Sequence, residues 1–139
     1  MVEKYLLLTP GPLTTSEKVK QAMDFDYCTW DDDYKKITQS FRHSLLEVAQ
    51  VNEDEYTAVP IQGSGTYGVE SVISSTISNK DKLLIGINGA YGKRISEMAD
   101  IYGLDHVDLV VDEREPITLE LVTEYLNKYP DITHFAMIH

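Results

Sequence analysis

The sequence predicts an α/β fold, in which a mainly parallel sheet is covered by helices on both faces. Short apolar runs such as "KLLIGI", Lys82 to Ile87, alternate with stretches of helical periodicity. These runs are almost continuously apolar, as strands buried on both faces require. The chain has 139 residues, 42% of them hydrophobic, which suits one domain with a real core.

The elements follow in order. Lys4 to Leu8 is a short apolar run, and "TPGPLTTS" then bends the chain with two prolines around a glycine. Ser16 caps a short helix reaching about Met23. The acidic run Asp31-Asp32-Asp33 reads as a helix start, where carboxylates favour the exposed N–H groups. The helix it opens runs to about Gln50, with Ile37, Phe41, Leu45 and Val48 on one face. Glu55 to Ile61 reads as a strand. Thr66 to Ser78 is a helix with Val69, Val72, Ile73 and Ile77 inward, followed by the strand Lys82 to Ile87. Ala90 to Tyr102 is a helix with Tyr91, Ile95, Met98, Ala99 and Tyr102 on one face, ended by Gly103. Asp108 to Val111 is a strand. Thr118 caps a helix with the apolar face Leu121, Val122, Tyr125, Leu126 and Tyr129, and Phe135 to Ile138 is the last strand. Residues 1–50 form an N-terminal segment with helices, and 51–139 the first part of a larger α/β domain. The last strand stops at His139 without the loop that carries ligands in such folds, so the chain reads as the front part of something longer.

Composition narrows the function. A net charge of −11 argues against nucleic acid, which needs a basic face. No apolar run is long enough to span a membrane, and the N-terminus makes a poor signal peptide. Cys28 is the sole cysteine, which suits a reducing cytoplasm.

"IQGSGTYGVES" carries Gly63, Gly65 and Gly68 in the G-x-G-x-x-G spacing of dinucleotide-binding turns. The rest of that fingerprint is missing. Asn88 stands where the ribose-binding carboxylate belongs, and some 55 residues precede the first strand. A plain strand-to-helix turn remains open. The better reading keeps the phosphate alone: Ser64, Gly65 and Thr66 begin a helix whose first N–H groups attract an anion. One βα unit later, in "NGAYGKR", Tyr91 lies in a first turn between Gly89 and Gly92. It reads either as a flat plate projecting from the loop or as a buried helix tyrosine. A phosphate cup with an aromatic plate suits a planar phosphorylated ring.

Five stretches in order, "LLLTPGPLTTS", "DYCTWDDDY", "QSFRHSLLEVA", "GSGTYGVES" and "NGAYGKRISEMADIYG", resemble the 2-aminoethylphosphonate–pyruvate aminotransferases. That family belongs to the class-V pyridoxal-phosphate-dependent aminotransferases of the aspartate aminotransferase (type I) fold. The resemblance covers this chain but well under half of a family member. It implies an incomplete large domain, in α/β/α layers, from an enzyme converting 2-aminoethylphosphonate and pyruvate to phosphonoacetaldehyde and alanine. It implies that Ser64, Gly65 and Thr66 hold the cofactor phosphate, that Tyr91 stacks on its ring, and that Thr9, Pro10, Gly11 and Pro12 lie near the substrate. Glu70 and Arg94 fit the pattern as structural residues, paired with each other. Trp30 and Cys28 read equally as pocket neighbours or packing residues. The lysine that carries the cofactor as a Schiff base, the aspartate at the ring nitrogen and the carboxylate-binding arginine are expected beyond His139, so this chain alone is expected to be inactive. A homodimer is implied. The resemblance also implies that the strand at Thr57 to Ile61 lies apart from the other three, with missing strands between them. Another class-V aminotransferase such as the alanine–glyoxylate type, a non-catalytic phosphate-binding or interaction module, and a nucleotide-binding domain remain the alternatives.

Overall fold

The computed structural model describes residues 6–9, 11 and 13–138. They form two units, Met1–Pro60 and Ile61–His139, each built by its own local rules.

In the first unit an antiparallel bridge between Leu8 and Leu13 closes the N-terminal bend, and the Leu7 N–H donates to Thr14 Oγ1 at 2.7 Å. Helix α1, Glu17–Met23, is capped by Ser16, whose side chain accepts from the Val19 N–H. Helix α2, Asp32–Ala49, begins after Asp31 with Asp32 and Asp33 in its first turn, as the acidic run predicts. Its apolar stripe, Ile37, Phe41, Leu45 and Val48, is exposed. Arg42 on this helix donates from Nε to the Ala58 carbonyl at 2.9 Å and from Nη2 to Thr57 Oγ1 at 2.6 Å. The predicted strand at Glu55 to Ile61 does not form. Its β-branched residues favour extended backbone, but a strand needs a hydrogen-bonded neighbour and none of the described residues supplies one. Arg42 holds the extended segment instead.

The second unit is a three-stranded parallel sheet with helices. Its order is helix α3 Gly65–Thr76, strand β1 Lys82–Ile87, helix α4 Ala90–Tyr102, strand β2 Asp105–Val110, helix α5 Leu119–Lys128 and strand β3 His134–Met137. Strand β1 is central, with β2 and β3 parallel on either side; Leu84 faces Val107 and Phe135. Alternate residues of β1 point to opposite faces. Leu83, Ile85 and Ile87 join Ile73 and Ile77 of α3 and Ile95 and Ala99 of α4 in one buried cluster. On the other face Leu84 is fully buried, and the bare Cα of Gly86 leaves room for Ile117 and Phe135.

Several boundaries and burials differ from expectation. Strand β2 begins at Asp105 rather than Asp108, because β1 offers it a full six-residue register. Val72 is 58% exposed, since the inward face of α3 is spent on Val69, Ile73 and Ile77. Helix α4 ends as read: Gly103 takes the left-handed conformation (φ 65°) and the Leu104 N–H reaches back to the Ala99 carbonyl.

Candidate functional site

Two helix starts carry the site, α3 at Gly65 and α4 at Ala90, the latter just past the carboxyl end of β1. Ser64 is the N-cap of α3; its Oγ accepts from the Tyr67 N–H at 3.2 Å. An oxygen that accepts still carries its own O–H, so the Ser64 hydroxyl keeps a donor. Gly65 and Thr66 are the first two helical positions, whose N–H groups have no partner within the helix. The space beside the Gly65 Cα is open, with no atom within 4 Å of where a Cβ would stand. Gly63 sets the approach. Its φ of +155° and the Tyr67 ring atom 2.6 Å from an ideal Cβ both exclude a side chain.

Tyr91 is 61% exposed, which decides against the buried helix tyrosine. The Arg94 guanidinium lies over its ring, 5.6 Å from the centroid. Arg94 Nη1 also donates to Thr66 Oγ1 at 3.2 Å, so one side chain touches both helix starts. The expected pairing of Glu70 with Arg94 is not found. Glu70 accepts from the Tyr102 hydroxyl at 2.6 Å, and that bond holds the phenol above its ordinary 10.0. Each has taken a different partner, because α3 and α4 pack side by side and bring Tyr102, not Arg94, to Glu70.

Of the residues expected near the substrate, Thr9 and Gly11 lie in the bend closed by the Leu8–Leu13 bridge, and Pro10 and Pro12 lie outside the described residues. Cys28 and Trp30 are exposed; the Cys28 N–H donates to Asp31 Oδ2, and Lys35 sits over the Trp30 ring. Lys82 begins β1, at the end of the strand away from both helix starts. A six-residue strand spans about 16 Å, and Lys82 is occupied by Asp131 at 3.0 Å and Asp105 at 3.6 Å. Among the described residues no group of three His, Cys, Asp or Glu is placed to hold a metal, and no helix is long and apolar enough to cross a membrane.

One polar group escaped the sequence reading. Ser96, buried on the inner side of α4, donates to Asp108 Oδ2 at 2.8 Å, while Asp108 Oδ1 is buried with no hydrogen-bond partner among the described residues. His106 Nε2 stands 3.8 Å from Asp108 Oδ1 and from Asp100 Oδ1. A carboxylate inside the apolar run "VDLVV" was the available signal, since a half-buried charge demands a partner.

The three-stranded parallel sheet and its helices match the fold of the class-V, type I pyridoxal-phosphate aminotransferases and are consistent with an incomplete large domain of that fold. The solved structures agree: the chain superposes over its full length on 36% of an alanine–glyoxylate aminotransferase from Nostoc sp., with a TM-score of 0.85 and 28% identity. It superposes equally on 36% of a ureidoglycine–glyoxylate aminotransferase from Bacillus subtilis, with a TM-score of 0.86 and 26% identity. Pyridoxal phosphate is the cofactor expected of the full-length enzymes of this fold. Within that class the chain matches the N-terminal part of the 2-aminoethylphosphonate–pyruvate transaminases. It is 48% identical over 140 residues to the one from Lactiplantibacillus plantarum, covering 100% of this chain and 38% of the relative. It is 50% identical over 139 residues to the one from Bacteroides fragilis, covering 99% of this chain and again 38% of the relative. The chain thus spans well under half the length of these relatives. No family model matches it.

Proposed function

We propose that this chain is part of an aminotransferase that moves the amino group of 2-aminoethylphosphonate to pyruvate, giving phosphonoacetaldehyde and alanine. The observation that supports it is the identity, from 47% to 52%, along nearly the whole chain with transaminases of that name. The residues present fit the cofactor. The N–H groups of Gly65 and Thr66 and the hydroxyls of Ser64 and Thr66 bind its phosphate, and the exposed Tyr91 orients its ring. When bound, pyridoxal phosphate supplies an electron sink for proton removal from the amine-bearing carbon. On the strength of the resemblance of "LLLTPGPLTTS" alone, the reading assigns Thr9, Pro10, Gly11 and Pro12 to substrate binding.

The cofactor-anchoring lysine, the ring-nitrogen aspartate and the carboxylate-binding arginine belong, on this reading, to the length of the relatives that the chain does not span. Lys82 is at the wrong end of its strand to serve. The reading carries with it a homodimer, a cytoplasmic setting and no metal, nucleic acid or membrane partner. Alanine formation from 2-aminoethylphosphonate and pyruvate tests it. The purified chain with pyridoxal phosphate should match a cofactor-only control and lack the visible absorbance of lysine-bound cofactor. Co-expression with the remaining part of the Lactiplantibacillus relative should restore turnover. Turnover by the 139-residue chain alone would refute the residue assignment.

A further inference from the structure

We propose that Arg94 is a positioning residue that couples the start of α3 to the start of α4 by holding the Thr66 hydroxyl and the Tyr91 ring at once. The proposal stands on two contacts of one exposed side chain. Nη1 donates to Thr66 Oγ1 at 3.2 Å, and the guanidinium lies 5.6 Å from the Tyr91 centroid. Tyr91 and Arg94 are three residues apart on α4, so they share a helix face. Thr66 comes from the other helix, 28 residues earlier. Arg94 is the link that ties the polar start of one helix to the aromatic of the next.

The chemistry requires arginine. A guanidinium is planar, so its face covers a ring while its edge still donates in the plane. A lysine ammonium has no plane, and it keeps the charge but must give up the stack or the hydroxyl. Glu70, the one carboxylate on α3, is occupied by Tyr102. Arg94 makes no ion pair among the described residues, so its charge is left for the site. The Thr66 oxygen, by accepting from Arg94, turns its own O–H away from the guanidinium. The consequence for a ligand rests on the cofactor reading above: a phosphate at Gly65 and Thr66 and a ring against Tyr91 are then held at one fixed spacing.

The first test needs no ligand. In the chain as it stands, the ring-proton NMR shifts of Tyr91 are followed in wild type, Thr66→Val, Arg94→Met and the double variant, with the amides of Leu84 and Ile85 reporting that the core is intact. Thr66→Val should move the Tyr91 ring signals in wild type and leave them still in the Arg94→Met background. Unmoved Tyr91 signals in wild type, or equal movement in both backgrounds, would overturn the coupling. The second test uses pyridoxine 5′-phosphate, which cannot condense with lysines, and inorganic phosphate as probes. Arg94→Lys should weaken the ring-bearing probe by about two- to five-fold, the worth of an exposed cation–π contact, and leave phosphate binding unchanged. Equal weakening of both would reduce Arg94 to a simple charge and contradict the proposal. If wild type binds neither probe, the cofactor reading fails, and the ligand-free cycle still decides whether Arg94 couples the two helices.

Discussion

Replacing Gly92 by alanine should destabilise the second unit, although alanine is the better helix former. An ideal Cβ at Gly92 stands 2.8 Å from the Gly86 carbonyl oxygen and 2.9 Å from the Ile87 Cα, where ordinary contact begins at 3.4 Å. The first turn of α4 must therefore retreat from β1 by roughly 0.6 Å. Both obstructing atoms are backbone, so no rotamer change relieves the clash. Overpacking of one methyl costs about 1–3 kcal/mol, here in the upper half of that range, and helix propensity returns at most about 1 kcal/mol. The net loss is about 1–2 kcal/mol. Gly68 is the control: it lies in α3 with nothing within 4 Å of its ideal Cβ, so Gly68→Ala should gain about 0.5–1 kcal/mol. Urea unfolding followed by circular dichroism measures both. A Gly92→Ala chain as stable as Gly68→Ala would refute the claim that α4 is pressed against the β1 backbone, and with it the account of how Tyr91 is placed.

Further outcomes follow from the same contacts. Ser96→Ala removes the donor to Asp108 and leaves a half-buried carboxylate without its partner, a loss of about 1–3 kcal/mol in urea unfolding. Ser64→Ala removes the α3 cap and should cost about 1 kcal/mol, read in the same assay. Lys82 is held above its ordinary 10.5 chiefly by its hydrogen bond to Asp131, and the same bond holds Asp131 below its ordinary 3.8. The raised lysine contributes stability below 10.5 that is lost as pH climbs through its folded value; the lowered carboxylate contributes above 3.8 and loses it as pH falls through its own. A pH series of unfolding midpoints should show both flanks in wild type and both flattened in Lys82→Met, and unchanged flanks would count against the bond.

The apolar periodicity made the second unit legible. "KLLIGI" could be little other than a central strand, and Ile73, Ile77, Ile95 and Ala99 fell inward because their spacing is helical. The start of α3 was legible to within one residue, at Thr66 for the observed Gly65, while the role of Ser64 as its cap came only with the structure. The segment at Glu55 to Ile61 misled for a physical reason: β-branched residues record a preference for extension, while pairing depends on a neighbour elsewhere. Partner choice was equally hidden. Nothing in the spacing of Glu70, Arg94 and Tyr102 tells which pair will meet, because that is fixed by how two helices lie against one strand. Asp108 was an unread signal, a charge in an apolar strand that called for Ser96.

The proposed cofactor site requires the start of α3 to take a phosphate beside the Tyr91 ring. Amide and ring shifts of the chain, titrated with pyridoxine 5′-phosphate, pyridoxine and inorganic phosphate, test it most directly. The account predicts that the Gly65 and Thr66 amides move with both phosphate-bearing probes, that the Tyr91 ring responds in addition to pyridoxine 5′-phosphate, and that pyridoxine alone leaves Gly65 and Thr66 still. Shifts centred away from the start of α3, or the same Gly65 and Thr66 response to pyridoxine as to its phosphate ester, would contradict it.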